Sequence, residues 1–564
     1  MSTIITRLPS YGEVYTRPWV VELILNLAGY VSDVNLVDAV AIEPAAGRGA
    51  FVTSMAERLV ASCTKQGRPV TDCLSSIKAY ERDANSAAHA RLAVIRKLLD
   101  LNVSSPEAEA LATHWIKSGN YLLDFGKRLE AVRNSPLSAD KFSPDQQADY
   151  VIGNPPYIRL EDIPAKENAA YRKLFRTMKG RSDIYVAFYE AALLELKPGG
   201  VCAFICADRW MLNQYGAELR RLITEGYSVE FVIEMHHAEA FETEVNAYPA
   251  ITVIRRAQQA EVLVGSANSA AEHIDTVALT SALKQLAQNG SDKLQLPGVR
   301  LNRMDTWFGA AEPWVRTSPD QLLLLRQLER DFIPLESETT GTRVGIGVAT
   351  GIDAVYITED ATVVEHDRLL PLALTSDLQS GCMQWSGHYL VNPWAADGLI
   401  DLERYPKLRA YFLKHQHQIR ERNVAKRSAE AWYRTIDRVE MGLLESPKLY
   451  IPDIKSVIFP VLDDGITYPH HNLYYIVSRK WNLEVLGALL MSDVGRFFVE
   501  CYGVRMRGGY LRMQAQYLRR IRLPRPESIS AQSVKDLIAA FRTRDTEWSS
   551  RLALKLYGIE HIPH

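Results

Sequence analysis

Short apolar runs alternate with helical periodicity through the first half of the chain. Val40-Ala41-Ile42 is an apolar run ending at Glu43-Pro44, and Phe51 to Val60 follows with apolar positions at helical spacing. Ile77 to Tyr80 is a second run, before a helical stretch from Ala84 to Leu99. Tyr150-Val151-Ile152-Gly153 is a third, ending at Asn154-Pro155-Pro156. Ile184 to Leu196 reads as a helix stopped by Lys197-Pro198-Gly199-Gly200, because proline cannot donate to the helix ladder and glycine loosens the backbone. Val201 to Cys206 reads as a buried strand, and Val229 to Ile233 and Ile251 to Ile254 as two more. Parallel neighbours need long crossovers, and helices of this length supply them. Residues 19 to 255 therefore predict an α/β fold with a mostly parallel, doubly wound, Rossmann-like sheet.

The rhythm is lost from 256 to about 315. Ser266 to Ala271 and Gln288 to Lys293 are small and polar, as in surface loops. A second region, 316–564, opens with a helix from Pro319 to Arg330 and continues through Gly-rich, β-branched segments from Gly341 to Ile357. A basic helix is expected between Arg404 and Arg438, strands at Leu449 to Ile451 and Leu473 to Val477, and two closing helices, Leu483 to Tyr502 and Ile529 to Tyr557. The expected domains are thus 1–315, α/β, and 316–564, mixed α+β.

Composition narrows the class. The chain has 564 residues, enough for two large cores, with 47% apolar and 23% charged residues, an ordinary globular balance. No run of about 18 apolar residues occurs, so no membrane span is expected. Met1 to Ser10 lack the basic-then-apolar pattern of a signal peptide, and a cytoplasmic location is expected. The six Cys form no CxxC pair, which suggests neither a zinc site nor a disulfide framework. Cys202 and Cys206 fall within an apolar strand and read as core packing. The net charge of -2 gives no argument for a nucleic-acid partner, but its distribution does. Between Glu500 and Glu527 lie Arg505, Arg507, Arg512, Arg519, Arg520, Arg522 and Arg525, and Arg420, Arg422, Lys426 and Arg427 cluster earlier. Such stripes can gather phosphate-binding charge on one face, or be solvated helix faces.

Two segments carry chemistry. Glu43-Pro44-Ala45-Ala46-Gly47-Arg48-Gly49-Ala50-Phe51 follows a strand and opens a helix, and its glycines let the backbone turn sharply and approach a ligand. The third glycine of a dinucleotide fingerprint is missing, which argues against NAD or FAD. Glu81 ends the second strand, where a carboxylate can accept both hydroxyls of a ribose or simply lie at the surface. It follows the glycines at more than the usual spacing, consistent with an insertion around Lys65 to Ser76.

Asn154-Pro155-Pro156-Tyr157 is the more informative segment. The adenine amino group is a poor nucleophile because its lone pair is delocalised into the ring. To accept a methyl group it must become more tetrahedral, and two acceptors aimed at its N–H bonds favour that geometry. The Asn154 side-chain oxygen can be one and the Pro155 carbonyl the other, on a turn that the prolines hold rigid. Tyr157 offers a flat face for a base turned out of the duplex, where the N6 edge is otherwise engaged in pairing. This chemistry needs neither a covalent intermediate nor a metal. A structural Asn-Pro-Pro turn beside a buried Tyr is the bland reading of the same residues.

With these motifs in this order, the sequence resembles the gamma-class adenine-N6 DNA methyltransferases of type II restriction–modification systems, the TaqI-like kind. The resemblance implies a class I S-adenosylmethionine-dependent methyltransferase fold followed by a target-recognition domain. The family's Tyr-Thr-Pro-Pro segment is similar to Tyr15-Thr16-Arg17-Pro18, which carries Tyr15 and Thr16 over as cofactor contacts. The loop with Glu43, Pro44, Ala45, Gly47 and Gly49 corresponds to the methionine-moiety site, and Glu81 to the ribose-binding acid. The family's Gly-Asp-Phe-Leu reads Gly119-Asn120-Tyr121-Leu122, which points to Asn120 at the cofactor adenine, with Asp124 as a nearby alternative. The tetrapeptide 154–157 matches in full, with Asn154 also facing the cofactor. Ile184 to Phe188 resembles the helix closing over the cofactor, with Phe188 against it. Ala240-Phe241-Glu242 resembles the hairpin that brings an aromatic, here Phe241, to the flipped base. In the second region Gly345 to Ile357, Trp432-Tyr433, Pro447-Lys448-Leu449 and Gly508 to Arg512 carry the likeness.

The implied activity is site-specific adenine-N6 methylation of double-stranded DNA, as the modification enzyme of a restriction–modification or phage-defence system. The protein would act as a monomer, with a cognate restriction endonuclease as a possible partner. The runner-up readings are a protein-glutamine or RNA-base N-methyltransferase, and a DNA-binding specificity subunit with a degenerate methyltransferase fold. The roughly 250 residues of the second region favour DNA, since reading a duplex needs phosphate contacts for register and side chains in the major groove.

Overall fold

The computed structural model describes residues 14–133, 147–243, 248–273, 278–279, 281–282, 293–304, 309–315, 317–455, 457–503 and 511–563. Apolar strands of the first region pair into one sheet: β1 (Ala41–Glu43), β2 (Ile77–Glu81), β3 (Ile116–Ser118), β4 (Ala148–Gly153), β5 (Leu196–Ala207), β6 (Ser228–His237), β7 (Pro249–Arg255), β8 (Val262–Asn268), β9 (Lys293–Leu296) and β10 (Val299–Met304). Their order is β3-β2-β1-β4-β5-β7-β6-β8-β10-β9. The first five are parallel, with Ile42 facing Lys78 on one side and Val151 on the other. From β5 outward the sheet is mixed: β7 runs antiparallel between β5 and β6, and β10 is antiparallel to both β8 and β9.

Helices α1 (Pro18–Leu27), α2 (Ala50–Gln66), α3 (Ala84–Asp100) and α4 (Ser105–Trp115) share one apolar cluster with the parallel strands. Helices α5 (Tyr121–Arg133), α6 (Ala165–Leu174), α7 (Tyr185–Glu195) and α8 (Ala217–Gly226) follow. α7 is buried nearly all round, which explains its lack of a polar face. The strand order reverses between β1 and β4, so their carboxyl ends, at Glu43 and Gly153, border the crevice in which α/β folds bind ligands. Between α2 and β2 the chain makes a 3-10 turn at Val70–Cys73.

The structure corrects part of the expectation for 256–315; of Gln288 to Lys293, only Lys293 is among the described residues. Ser266 to Ala271 is not a loop: Ser266 to Asn268 complete β8, and Ser269–His273 form a 3-10 turn. Lys293 opens β9. The small residues are used because the strands pack closely: a side chain at Gly265 would lie 1.7 Å from the Arg300 carbonyl oxygen.

The chain divides into two compact units, Met1–Pro319 and Asp320–His564. The second contains an antiparallel sheet of Arg343–Ile346, Leu473–Val477, Lys448–Pro452 and Val461–Asp463, and another four-stranded sheet. Each expected closing helix is in fact two. Leu483–Leu490 ends before Ser492, whose hydroxyl caps Asp493–Tyr502 by accepting from the Gly495 amide. Ala531–Thr543 ends at Arg544, left-handed at φ 59°, and Asp545 then caps Thr546–Tyr557. The expected basic helix is likewise broken, into Pro406–Lys414, Gln416–Glu421 and Asn423–Lys426. Arg422 sits at the last break and turns inward, donating to the carbonyls of Thr350, Trp432 and Arg434.

Candidate active site

A cleft of about 790 Å³, counted to its open mouth, lies at the carboxyl ends of β1, β2 and β4. That size suits a small-molecule ligand. Its floor is the glycine loop: Pro44, Ala45 and Gly47 line it. Gly47 and Gly49 have φ of +52° and +100°, the left-handed region that glycine enters without penalty. Gly49 itself is not in the lining. It brings the start of α2 against α3, where an added Cβ would sit 3.0 Å from the Ala90 Cα.

Glu81 closes one side and braces that loop. One of its carboxylate oxygens accepts from the Gly47 amide at 2.8 Å and the other from the Asp83 amide at 2.8 Å. Glu43 is 1% exposed, behind Pro44, and its Oε2 has no hydrogen-bond partner. Burial, with the charge of Glu81 adding to it, pushes the Glu43 carboxyl up to about 8.

The opposite wall is the turn after β4, with Asn154, Pro155 and Pro156 in the lining. Asn154 is held by its amide nitrogen, which donates to the Val14 carbonyl at 3.0 Å and to the Thr16 hydroxyl at 3.1 Å. The carbonyl can only accept, so it fixes which end of the amide is nitrogen. The Asn154 Oδ1 is then buried with no hydrogen-bond partner. Thr16 is 4% exposed and lies behind Asn154 rather than in the lining, while Tyr15 is in the lining.

The strand-like segment 15–17 is tied down by residues 240–242. Thr16 and Phe241 form an antiparallel bridge, the Arg17 amide donates to the Ala240 carbonyl, and the Glu242 amide to that of Tyr15. Arg17 contributes its own clamp, from Nε to the Phe241 carbonyl and from the guanidinium to Glu239 at 2.7 Å. Phe241 thereby reaches Tyr157, edge to face with ring centroids 6.0 Å apart. Neither ring is in the cleft lining; the Tyr157 hydroxyl is buried without a partner, and burial holds it well above the usual phenol range.

Asn120 lines the far end and Asp124 does not; Asp124 is exposed on the first turn of α5. The Asn120 oxygen caps α5 through the Leu123 amide, and its nitrogen donates to the Tyr171 hydroxyl at 2.7 Å. Phe188 completes this end, stacked on Tyr121 at 5.8 Å. Sequence reasoning did not single out α6. Its Tyr171 lines the cleft and donates to Glu167, which Arg82 grips with two bonds of 2.9 and 2.8 Å. Its ordinary Glu and Tyr side chains gave no sign of a site.

The basic residues of the second unit are largely engaged. Arg512 pairs with Asp453, Arg519 with Glu336, and Arg420 stacks over Trp432 at 4.6 Å. Lys426, Arg427 and Arg525 are exposed. Arg505, Arg507 and Gly508 to Tyr510 lie outside the described residues. Among the described residues no helix is long and apolar enough to cross a membrane.

Comparison with known proteins places this architecture. The family described as Eco57I restriction-modification methylase matches residues 77–241, the span from β2 to Phe241. The type II methyltransferase M.PaeR7I of Pseudomonas aeruginosa is 40% identical over 98% of this chain and 93% of its own. M.XhoI of Xanthomonas vasicola is 40% identical over 97% of each. Among solved structures, the type IIL restriction-modification enzyme MmeI in complex with DNA superposes with a TM-score of 0.61 at 12% identity, over 96% of this chain and 74% of its own, a likeness of fold. Whole-length identity of this order, over a chain whose crevice joins a glycine loop to an Asn-Pro-Pro-Tyr turn, means that the chain belongs to the type II restriction–modification DNA methyltransferase family.

Proposed function

We propose that the protein methylates the exocyclic N6 of adenine in double-stranded DNA, acting on a base turned out of the helix, as the modification enzyme of a restriction–modification system. The observation that carries the reading is Asn154: its amide is fixed from behind by Val14 and Thr16, and its oxygen is left unpaired in the wall facing the glycine loop. An unpaired buried acceptor costs free energy unless a ligand donor completes it. The adenine amine is such a donor. Accepting one N–H at Asn154 Oδ1 and the other at the Pro155 carbonyl draws the nitrogen toward tetrahedral geometry and stabilises the positive charge it gains on methylation.

The methyl donor is S-adenosylmethionine, and the chemistry it supplies is a methyl group on a good sulfonium leaving group. The residues present fit it. Gly47 and its neighbours leave room for the methionine moiety and the buried, unpaired Glu43 oxygen can meet its ammonium. Glu81 lines the cleft at the end of β2, where its carboxylate can accept from ribose hydroxyls. Asn120, Tyr15 and Phe188 surround the adenine end, while Thr16 acts through Asn154. Tyr157 and Phe241 stand edge to face behind the Asn-Pro-Pro turn, outside the cleft lining, and a turned-out base would reach them only if this pair opens toward the cleft.

The second unit is the target-recognition domain. Supporting this are the length it shares with the type II relatives and the exposed basic residues Lys426, Arg427 and Arg525. The enzyme works as a cytoplasmic monomer beside a separate restriction endonuclease. Incubation with methyl-labelled S-adenosylmethionine and unmethylated duplex DNA, followed by nucleoside mass spectrometry, should yield N6-methyladenine. Label on protein, on RNA or on cytosine would overturn the assignment.

A further inference from the structure

The second unit holds a cluster that the methyl-transfer reading does not use. His470, His471 and Asp353 each present a ligand atom, and these lie within 4.8 Å of one another. The backbone builds the cluster. Val348 and His470 form a parallel bridge, the Val348 amide donates to the Pro469 carbonyl, and the His471 amide donates to the Val348 carbonyl. The loop leading to Asp353 is therefore fixed against both histidines. Consecutive side chains on a strand point to opposite faces. Here a turn begins at His471 and swings its ring back, so that the two imidazoles lie with centroids 4.0 Å apart.

The donor atoms converge on one point. His471 Nδ1 is buried with no hydrogen-bond partner, and the buried His470 Nε2 faces the Asp353 carboxylate. A buried, unpartnered ring nitrogen beside a second imidazole and a carboxylate is costly unless an ion completes it. Asp353 is oriented by the Thr350 hydroxyl, which donates to Oδ1 at 2.6 Å, and its Oδ2 stands 3.3 Å from His470 Nε2. That spacing equals the edge of a tetrahedron with metal–ligand bonds of about 2.05 Å. Asp353 is half exposed, which gives an ion a path in.

We infer that His470, His471 and Asp353 bind one divalent transition-metal ion of the zinc class, with the fourth position open to water. Two imidazoles and one carboxylate are a zinc donor set, whereas magnesium and calcium prefer all-oxygen sites. The Thr350 hydroxyl is the outer partner that aims the carboxylate. The ion ties the 348–353 loop to the 468–472 turn, a structural clamp in the second unit, distinct from the methyl-transfer cleft. The absence of a CxxC pattern hid it from sequence reading; the signal was the adjacent His-His pair.

The test is calorimetric titration of the full-length, chelator-washed protein with Zn²⁺, with Co²⁺ as a spectroscopic probe. The expected result is one equivalent bound, a visible Co²⁺ band, and a rise in the unfolding temperature of the second unit. Binding should be lost in His471→Ala and in Asp353→Asn. Thr350→Val, which keeps all three ligands, should weaken it by about tenfold. Circular dichroism and S-adenosylmethionine binding report whether each variant folds. No stoichiometric Zn²⁺ binding by the wild type, or equal binding by folded His471→Ala and Asp353→Asn, would overturn the inference.

Discussion

Thr16→Val separates two roles for the N-terminal segment. The substitution keeps the β-branched shape in a site that is 4% exposed and removes only the hydroxyl. That hydroxyl accepts from the Asn154 Nδ2 at 3.1 Å, beside the bond to the Val14 carbonyl at 3.0 Å. Without it one amide N–H is left buried and unpaired, at a cost of about 1–3 kcal/mol. The amide can relieve this by rotating, which turns Oδ1 away from where the adenine amine must be met. If that cost falls on the transition state, the methyl-transfer rate drops roughly 5- to 150-fold. The assay is single-turnover transfer from labelled S-adenosylmethionine to unmethylated genomic DNA, with enzyme in excess, and cofactor affinity measured in parallel by calorimetry. The expected outcome is a slower chemical step at nearly unchanged cofactor affinity. A rate indistinguishable from wild type, or a loss confined to cofactor affinity, would refute the argument; the second result would make Thr16 a direct cofactor contact.

Two further outcomes follow from the buried charges. Glu43 carries a folded-state value of about 8, above its ordinary 4.5, so between these limits the native chain holds a proton that the unfolded chain releases. The stability from this is complete below 4.5 and is lost as pH rises through about 8; thermal melts should show wild type losing more stability than Glu43→Gln over that window. Lys448 and Asp463 form a fully buried pair at 2.7 Å. Lys448→Met strands the carboxylate, though Thr467 and the Gly465 amide still donate to it. Denaturant unfolding should report a loss near the lower end of about 3–5 kcal/mol, in the second unit's transition.

Legibility in the sequence followed the physics of each element. Strands β1, β2, β4 and β5 were readable because buried strands are continuous apolar runs, and Glu43, Glu81 and Gly153 each end one; β3 was not, because only Ile116 of its three residues is buried. Strands β8 to β10 were not, because Val262–Asn268 mixes Gly, Ser and Asn into a strand that packs on close backbone neighbours. The late helices were readable as helical and unreadable as four, since a cap such as Ser492 or a left-handed Arg544 is one residue in a long periodic stretch. In the site, the glycine loop and residues 154–157 announced themselves by type. The Arg82–Glu167–Tyr171–Asn120 chain did not, because its members are common surface residues that only tertiary folding assembles. Charge runs misled most: Arg422 and Arg512 were counted as phosphate candidates, yet both are spent on the unit's own carbonyls and carboxylates.

The central claim is that the unpaired oxygen of Asn154 receives the amine that is methylated. Its most direct measurement is single-turnover transfer by Asn154→Ala, with cofactor affinity measured on the same preparation. The account predicts a fall of at least about 10²–10³-fold in transfer, as for loss of one preorganised polar group at a reacting centre, with cofactor binding largely retained. Transfer by the folded variant at a rate close to wild type would contradict it.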